Sequence, residues 1–194
     1  MKTMILQIAH LKAARLFASK QDVRFYLNGV LVEGRNIVAT DGFAMLVIPQ
    51  DELTADDSFQ AILPNDAIDY FLKKVAAHDK HAVECTLSYD GFNATLKRGD
   101  VTESFQRIDA RYPDWTRMAL PDMDMDDCRM TLFDFAQMPR FVKAATILGA
   151  SKHTPDLALL PRGHLAAARV NFLQTPHVYG VLMPQNLKGV TDKK

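Results

Sequence analysis

The chain has 194 residues, of which 48% are hydrophobic, and 23 lysines and arginines balance 23 aspartates and glutamates. That length and apolar fraction suit one large folded domain or two small ones and exclude wholesale disorder. Zero net charge excludes a uniformly basic coat for nucleic acid, but not positive charge gathered on one face. Cys85 and Cys128 stand alone, without CxxC or Cys/His ligand spacing, so neither a structural zinc nor a disulfide framework is expected. Residues 1–17 have no long apolar stretch leading to a small-residue cleavage site, and no apolar run approaches about 18 residues. The expected compartment is the cytoplasm, with no membrane partner.

In chain order, alternation over Met4–Ile8 predicts a strand, and apolar positions at Leu11, Ala14, Phe17 and Ala18 predict a helix from His10 to Ser19. Strands over Phe25–Val32, Arg35–Thr40 and Phe43–Ile48 follow, with turn signals at Asn28-Gly29, Gly34 and Asp41-Gly42. The same order then returns. A strand at Phe59–Leu63 leads into a helix over Pro64–Ala77, where Pro64 suits the first turn and Ala67, Ile68, Phe71, Leu72 and Val75 form an apolar stripe. Strands over Val83–Ser88, Phe92–Lys97 and Thr102–Ile108 are separated by Asp90-Gly91 and Arg98-Gly99-Asp100. Residues 122–128 have the acidic composition of a linker. Beyond it come a strand near Arg129–Leu132, a helix from about Phe135 to Leu148, and strands at Leu157–Leu160, Leu165–Asn171 and His177–Leu182. Pro139 either bends that helix or marks its true first turn.

Three β-α-β-β-β units predict an α+β protein built on antiparallel sheet, with each unit giving one helix to one side. The expected division is residues 1–121 as a domain of two units, 122–128 as linker and 129–194 as a third unit.

A search for reactive constellations returns little. GxxxxGK[ST], GxSxG, HExxH and GxGxxG are all absent. Asp122, Asp124 and Asp126 begin like a calcium loop, but Asp127 stands where glycine is needed and Phe133 where glutamate is needed. His10, His78, His81, His153, His164 and His177 fall in different predicted elements without a completing ligand set. No catalytic residue, metal or cofactor is expected, and the chain is expected not to be an enzyme.

Two segments carry a resemblance. Gln21–Glu33 followed by Val38–Phe43 is similar to the middle domain of the bacterial sliding clamp, the DNA polymerase III beta subunit. Arg111-Tyr112-Pro113-Asp114-Trp115, leading to Leu120-Pro121, resembles the segment that ends that domain, and Val181–Leu187 resembles the last strand and tail. The chain thus resembles a shortened clamp: the middle domain plus the last half-domain. Where the clearest family form reads Thr-Asp-Gly-His-Arg-Leu, this sequence has Phe43, Ala44 and Met45 after Gly42.

The resemblance implies DNA-clamp (processivity-fold) modules and two sites. A pocket for short peptides of polymerases and repair proteins would be built from Leu27, Thr40, Gly42, Phe43, Met45, Pro121, Val181, Met183, Pro184 and Leu187. The competing reading is that Asp41-Gly42 is only a hairpin turn and the apolar residues only core. Contact with double-stranded DNA would fall to Gln21, Arg24, Phe25 and Tyr26 in one loop and to Lys12, Arg15, Lys20, Lys73, Lys74, Arg140 and Lys143 on or beside the helices. The helical stretches hold nine basic and four acidic residues, a balance of +5 that leaves −5 elsewhere. That polarity suits a ring around DNA, although the solvated face of any amphipathic helix has the same composition. An unpaired third unit implies self-association through residues from about 128 to 194, as a dimer, or as four chains if twelve half-domains close the ring. The function expected is that of a processivity factor, of phage or mobile-element origin, that holds DNA by topology. The alternative is a decoy or adaptor that binds clamp-binding peptides without encircling DNA.

Overall fold

The computed structural model describes residues 1–50, 58–118, 133–151, 156–162 and 166–185. The acidic segment 122–128, together with Pro121 and Leu187, lies outside the described residues.

In the first unit, strand β1 (Lys2–Gln7) runs into helix α1 (Ile8–Arg15), and β2 (Gly29–Glu33), β3 (Asn36–Thr40) and β4 (Ala44–Pro49) follow. In the second, β5 (Gln60–Pro64) precedes α2 (Asn65–His78), β6 (Glu84–Asp90), β7 (Asn93–Arg98) and β8 (Val101–Gln106). Then come α3 (Met138–Ile147), β9 (Leu157–Leu160), β10 (Ala168–Phe172) and β11 (Tyr179–Leu182). Among the described residues no helix is long and apolar enough to cross a membrane.

The strands form two antiparallel sheets that exchange their leading strands. Strand β1 leaves its own unit to pair with β6, Lys2 opposite Tyr89, in a sheet of order β1-β6-β7-β8. Reciprocally, β5 pairs with β2, in a seven-stranded sheet of order β5-β2-β3-β4-β11-β10-β9. The third segment is sealed to the first by β11 against β4, with Val181 opposite Met45, so β11 is paired within the chain and, among the described strands, β9 is the edge on that side.

Among the described residues, several element bounds differ from those expected. The predicted strand over Phe25–Val32 starts late, because Phe25–Leu27 is a single 3-10 turn. Asn28 fixes that turn by accepting the Asp22 N–H at 2.8 Å and donating to the Asp22 carbonyl at 2.9 Å. Gly29 must then be small, since a Cβ there would come within 2.7 Å of the Leu63 carbonyl oxygen. Helix α1 ends at Arg15 rather than Ser19, which places Lys20 in the following loop. There Phe17 turns into the core and meets the Phe141 ring edge-on at 4.9 Å between centroids. Pro139 does mark a first turn: α3 starts at Met138, after a 3-10 turn over Phe135–Gln137 whose Ala136 N–H is capped by Asp134.

Strand alternation explains why the seven-stranded sheet has two cores. Val30, Val32, Ile37, Ala39, Leu46 and Ile48 face the helices and join the main core around Phe17, Phe71 and Phe141. Leu31, Val38, Met45, Val47 and Val181 face the other way into a second cluster. The segment after β8 covers that cluster, where Ile108 donates its N–H to the Ile62 carbonyl and Tyr112 is buried. Burying each such aliphatic side chain contributes about 1.5–3 kcal/mol.

Candidate functional site

The second cluster opens to solvent where the β3–β4 hairpin meets β11. A cavity of about 280 Å³ lies there, and six of the residues expected in a pocket line it: Leu27, Thr40, Gly42, Met45, Val181 and Met183. Phe43 does not line it; its side chain is 65% exposed, and its contribution to the seam is the carbonyl that accepts the Met183 N–H at 3.0 Å. Pro184 forms an isolated bridge with Phe133 instead.

The hairpin wall is held from several directions. Asp41 Oδ1 accepts the N–H groups of Phe43 and Ala44, each at 3.0 Å, as an aspartate at a turn commonly does. Thr40 Oγ1 donates to the Ala44 carbonyl and accepts from the Gly42 N–H. Gly42 sits at φ +90, and a Cβ there would lie 3.1 Å from Nη2 of Arg24. Behind the wall, the Thr40 N–H donates to the Tyr112 hydroxyl at 3.1 Å, and burial drives that phenol well above its ordinary range.

Residues not anticipated complete the cavity: Arg24, Ala44, Pro113, Asp114, Trp115 and Met118. Trp115 is the chain's single tryptophan, and its indole N–H donates to Glu33 Oε2 at 2.8 Å. In the sequence, the chain's single tryptophan just after Tyr112-Pro113 is the signal that marks this segment. Arg24, expected at DNA, rims the cavity. Asp22 takes it in a two-point grip, Nε to Oδ1 at 3.0 Å and Nη2 to Oδ2 at 2.7 Å. Hydrogen bonding from Arg24 holds the Asp22 carboxyl down at about 2. Phe25 is exposed, whereas Tyr26 packs against the second cluster.

A second concavity, of about 590 Å³, lies on the helix side between the end of α1 and the start of α3. It brings together four of the residues expected at DNA, Arg15, Lys20, Arg140 and Lys143, with Asp41 and Asp69. Arg15 pairs with Asp69 and Arg140 with Asp41, each at 2.6 Å. Lys20 and Lys143 are exposed and have no ion pair among the described residues, so the groove keeps an excess of positive charge. Lys12, Lys73 and Lys74 lie outside it; Lys74 reaches Glu103 at 3.4 Å and stacks over the Tyr70 ring at 4.2 Å. Gln21 is exposed and is not part of the groove. Cys85 is buried and its thiol is pushed up to about 12, so it offers no thiolate.

No family model matches the chain. The beta sliding clamp of Pseudomonas aeruginosa is 31% identical over 105 residues, 52% of this chain and 28% of the relative. That of Proteus mirabilis is 25% identical over 112 residues, 56% of this chain and 30% of the relative. The matches therefore span less than a third of those relatives' length. Among solved structures, the DNA polymerase III subunit beta from Pseudomonas aeruginosa aligns with 96% of this chain and 66% of its own, with a TM-score of 0.69 and 16% identity. A sliding clamp from Bartonella birtlesii bound to griselimycin aligns with 95% of this chain and 66% of its own, with a TM-score of 0.66 and 14% identity. The chain has the fold of bacterial sliding clamps, aligns with about two thirds of the length of those solved chains, and resembles clamps in sequence over about half its own length.

Proposed function

We propose that the chain is a clamp-like processivity factor without catalytic activity, which recruits partner proteins through the apolar pocket and meets double-stranded DNA through the cationic groove. The observation that carries this reading is the convergence of Leu27, Thr40, Gly42, Met45, Val181 and Met183 on one cavity at the β4–β11 seam. Such a cavity takes the apolar side chains of a short peptide from a polymerase or repair protein, and its polar rim fixes their orientation. The groove supplies sequence-independent contacts to phosphates. Residues 1–121 act as one domain and 129–194 as a further half-domain. Self-association through the latter, with β9 as the available sheet edge, supplies the arc or ring that embraces DNA. The protein works in the cytoplasm.

Griselimycin, bound by the Bartonella birtlesii clamp, is the probe for the pocket. Titration is expected to change Trp115 fluorescence saturably, and Met183→Glu, at the half-buried wall, is expected to abolish the change. Binding that survives Met183→Glu, or no binding by the unaltered chain, overturns the pocket.

A second reading is a decoy that occupies clamp-binding peptides without embracing DNA, and what supports it is the same cavity, whose residues converge within one chain and need no ring to do so. Retention on circular but not linearised DNA supports the processivity factor. Peptide binding without such retention supports the decoy.

A further inference from the structure

The hairpin that walls the pocket and the groove on the helix side share one carboxylate. Asp41 Oδ1 holds the hairpin by accepting from Phe43 and Ala44. Its other oxygen, Oδ2, accepts from Nη1 of Arg140 at 2.6 Å, and Asp41 and Arg140 both line the groove. The two side chains are only 19% and 22% exposed, so water screens the pair weakly.

Arg140 is fixed on three further sides. Nη1 also donates to Gln137 Oε1 at 2.7 Å, Nε donates to the Leu16 carbonyl at 3.1 Å, and the guanidinium lies 5.0 Å from the Phe17 ring centroid. Nη2, with two N–H groups, has no partner among the described residues. A phosphate entering the groove can therefore be held by Nη2 without displacing Asp41. Lys143, one turn further along α3, and Lys20 on the opposite wall offset its charge.

We propose that Arg140 is a positioning residue for the pocket, acting through Asp41, and that a DNA phosphate seated on Arg140 in the groove tightens ligand binding in the pocket. This rests on the pocket and groove reading above. A phosphate at Nη2 restrains the guanidinium further, and through Nη1 the Asp41 carboxylate that holds the hairpin. The hairpin is then ordered before a ligand arrives, so less ordering cost falls on binding. The linkage is reciprocal: an occupied pocket tightens the groove by the same factor.

Two measurements on the full chain test this. The first is hydrogen exchange at the Phe43 and Ala44 amides, which needs no pocket ligand. Arg140→Ala and Asp41→Asn are each expected to speed exchange at these amides about 10-fold or more, with Arg140→Lys recovering part of the loss, while amides of the β1–β6 pairing stay unchanged. Equal exchange in Arg140→Ala and the unaltered chain overturns the positioning role. The second is griselimycin titration with and without a short blunt DNA duplex at low salt. The duplex is expected to tighten binding about 5-fold in the unaltered chain and to have no effect in Arg140→Ala, which is within the usual range of site-to-site coupling. Lys143→Ala is expected to weaken duplex binding yet keep the tightening once the duplex is bound. A duplex that binds without changing griselimycin affinity, or that lowers it, overturns the coupling alone. Failure of griselimycin or duplex to bind overturns the pocket or groove reading and the coupling with it, and the exchange contrast still decides the positioning role.

Discussion

Gly180 on β11 lies beneath the Phe141 ring of α3: a Cβ built on Gly180 would fall 2.9 Å from Cδ1 of that ring and 3.2 Å from the Met45 carbonyl oxygen. Helix, seam strand and β4 meet at this point, and only hydrogen fits between them. Gly180→Ala is therefore expected to cost about 1–3 kcal/mol of stability as an overpacking substitution. A lowered midpoint in chemical denaturation, with weaker griselimycin binding, is the expected result. An unchanged midpoint would show that Phe141 yields without loss.

Tyr112 joins the covering segment to the pocket wall through a single bond, from the Thr40 N–H to its hydroxyl. Removing that oxygen leaves a part-buried amide without its acceptor, at a cost of about 1–2 kcal/mol. Tyr112→Phe is expected to shift the denaturation midpoint by that amount with the same slope, since the area exposed on unfolding hardly changes.

These two contacts mark the limit of what the residues disclose. The alternation in β2, β3 and β4, the stripe of α2 and the proline that starts α3 are local patterns, and they placed the elements to within a few residues. Which strand pairs with which is a long-range matter: nothing in Met4–Ile8 announces Glu84–Asp90 as its partner. The pocket was legible to the extent that its residues fall in contiguous motifs. Trp115 and Met118 escaped a role because they reach the cavity only once Ile108–Met118 folds across the sheet. The resemblance of the loop from Gln21 to Tyr26 implies a phosphate contact for Arg24, whereas the grip of Asp22, two residues away, becomes visible only in three dimensions.

Stability is expected to fall as the pH drops from 7 towards 5. His10 is half-buried, and its Nδ1 lies 2.7 Å from Gln50 Nε2, so the neutral ring accepts that bond. Burial, with His177 nearby, holds its proton affinity below the ordinary value of 6.5. Between 6.5 and the folded value, the unfolded chain binds more protons, so acidification favours unfolding. Asp22 contributes only at lower pH, between its ordinary 3.8 and about 2. Thermal midpoints across this window should decline in the unaltered chain and decline less in His10→Gln; parallel declines would assign the effect elsewhere.

Phe43 provides a sharp contrast with the cavity. Its ring is exposed and its tie to β11 uses the backbone carbonyl, which substitution leaves in place. Phe43→Ala is expected to stay within about 0.5 kcal/mol in stability and to leave griselimycin affinity unchanged by Trp115 titration. A large loss of affinity would place the ring against the ligand.

If the groove meets phosphates, salt reports it. Lys20→Ala and Lys143→Ala should each reduce the slope of log affinity for duplex DNA against log salt by about 1. A slope that both substitutions leave unchanged removes these lysines from the interface.

The exchange of β1 and β5 between units has a consequence for synthesis. On the ribosome β1 emerges first, yet the strand that receives it comes much later: Gln7 meets Glu84, 77 positions downstream. Until then Met4 and Leu6, fully buried in the finished protein, have no sheet to enter. The amino-terminal strand must wait as an open hydrogen-bonding edge while translation continues, and neither half can complete its sheet before the other is made.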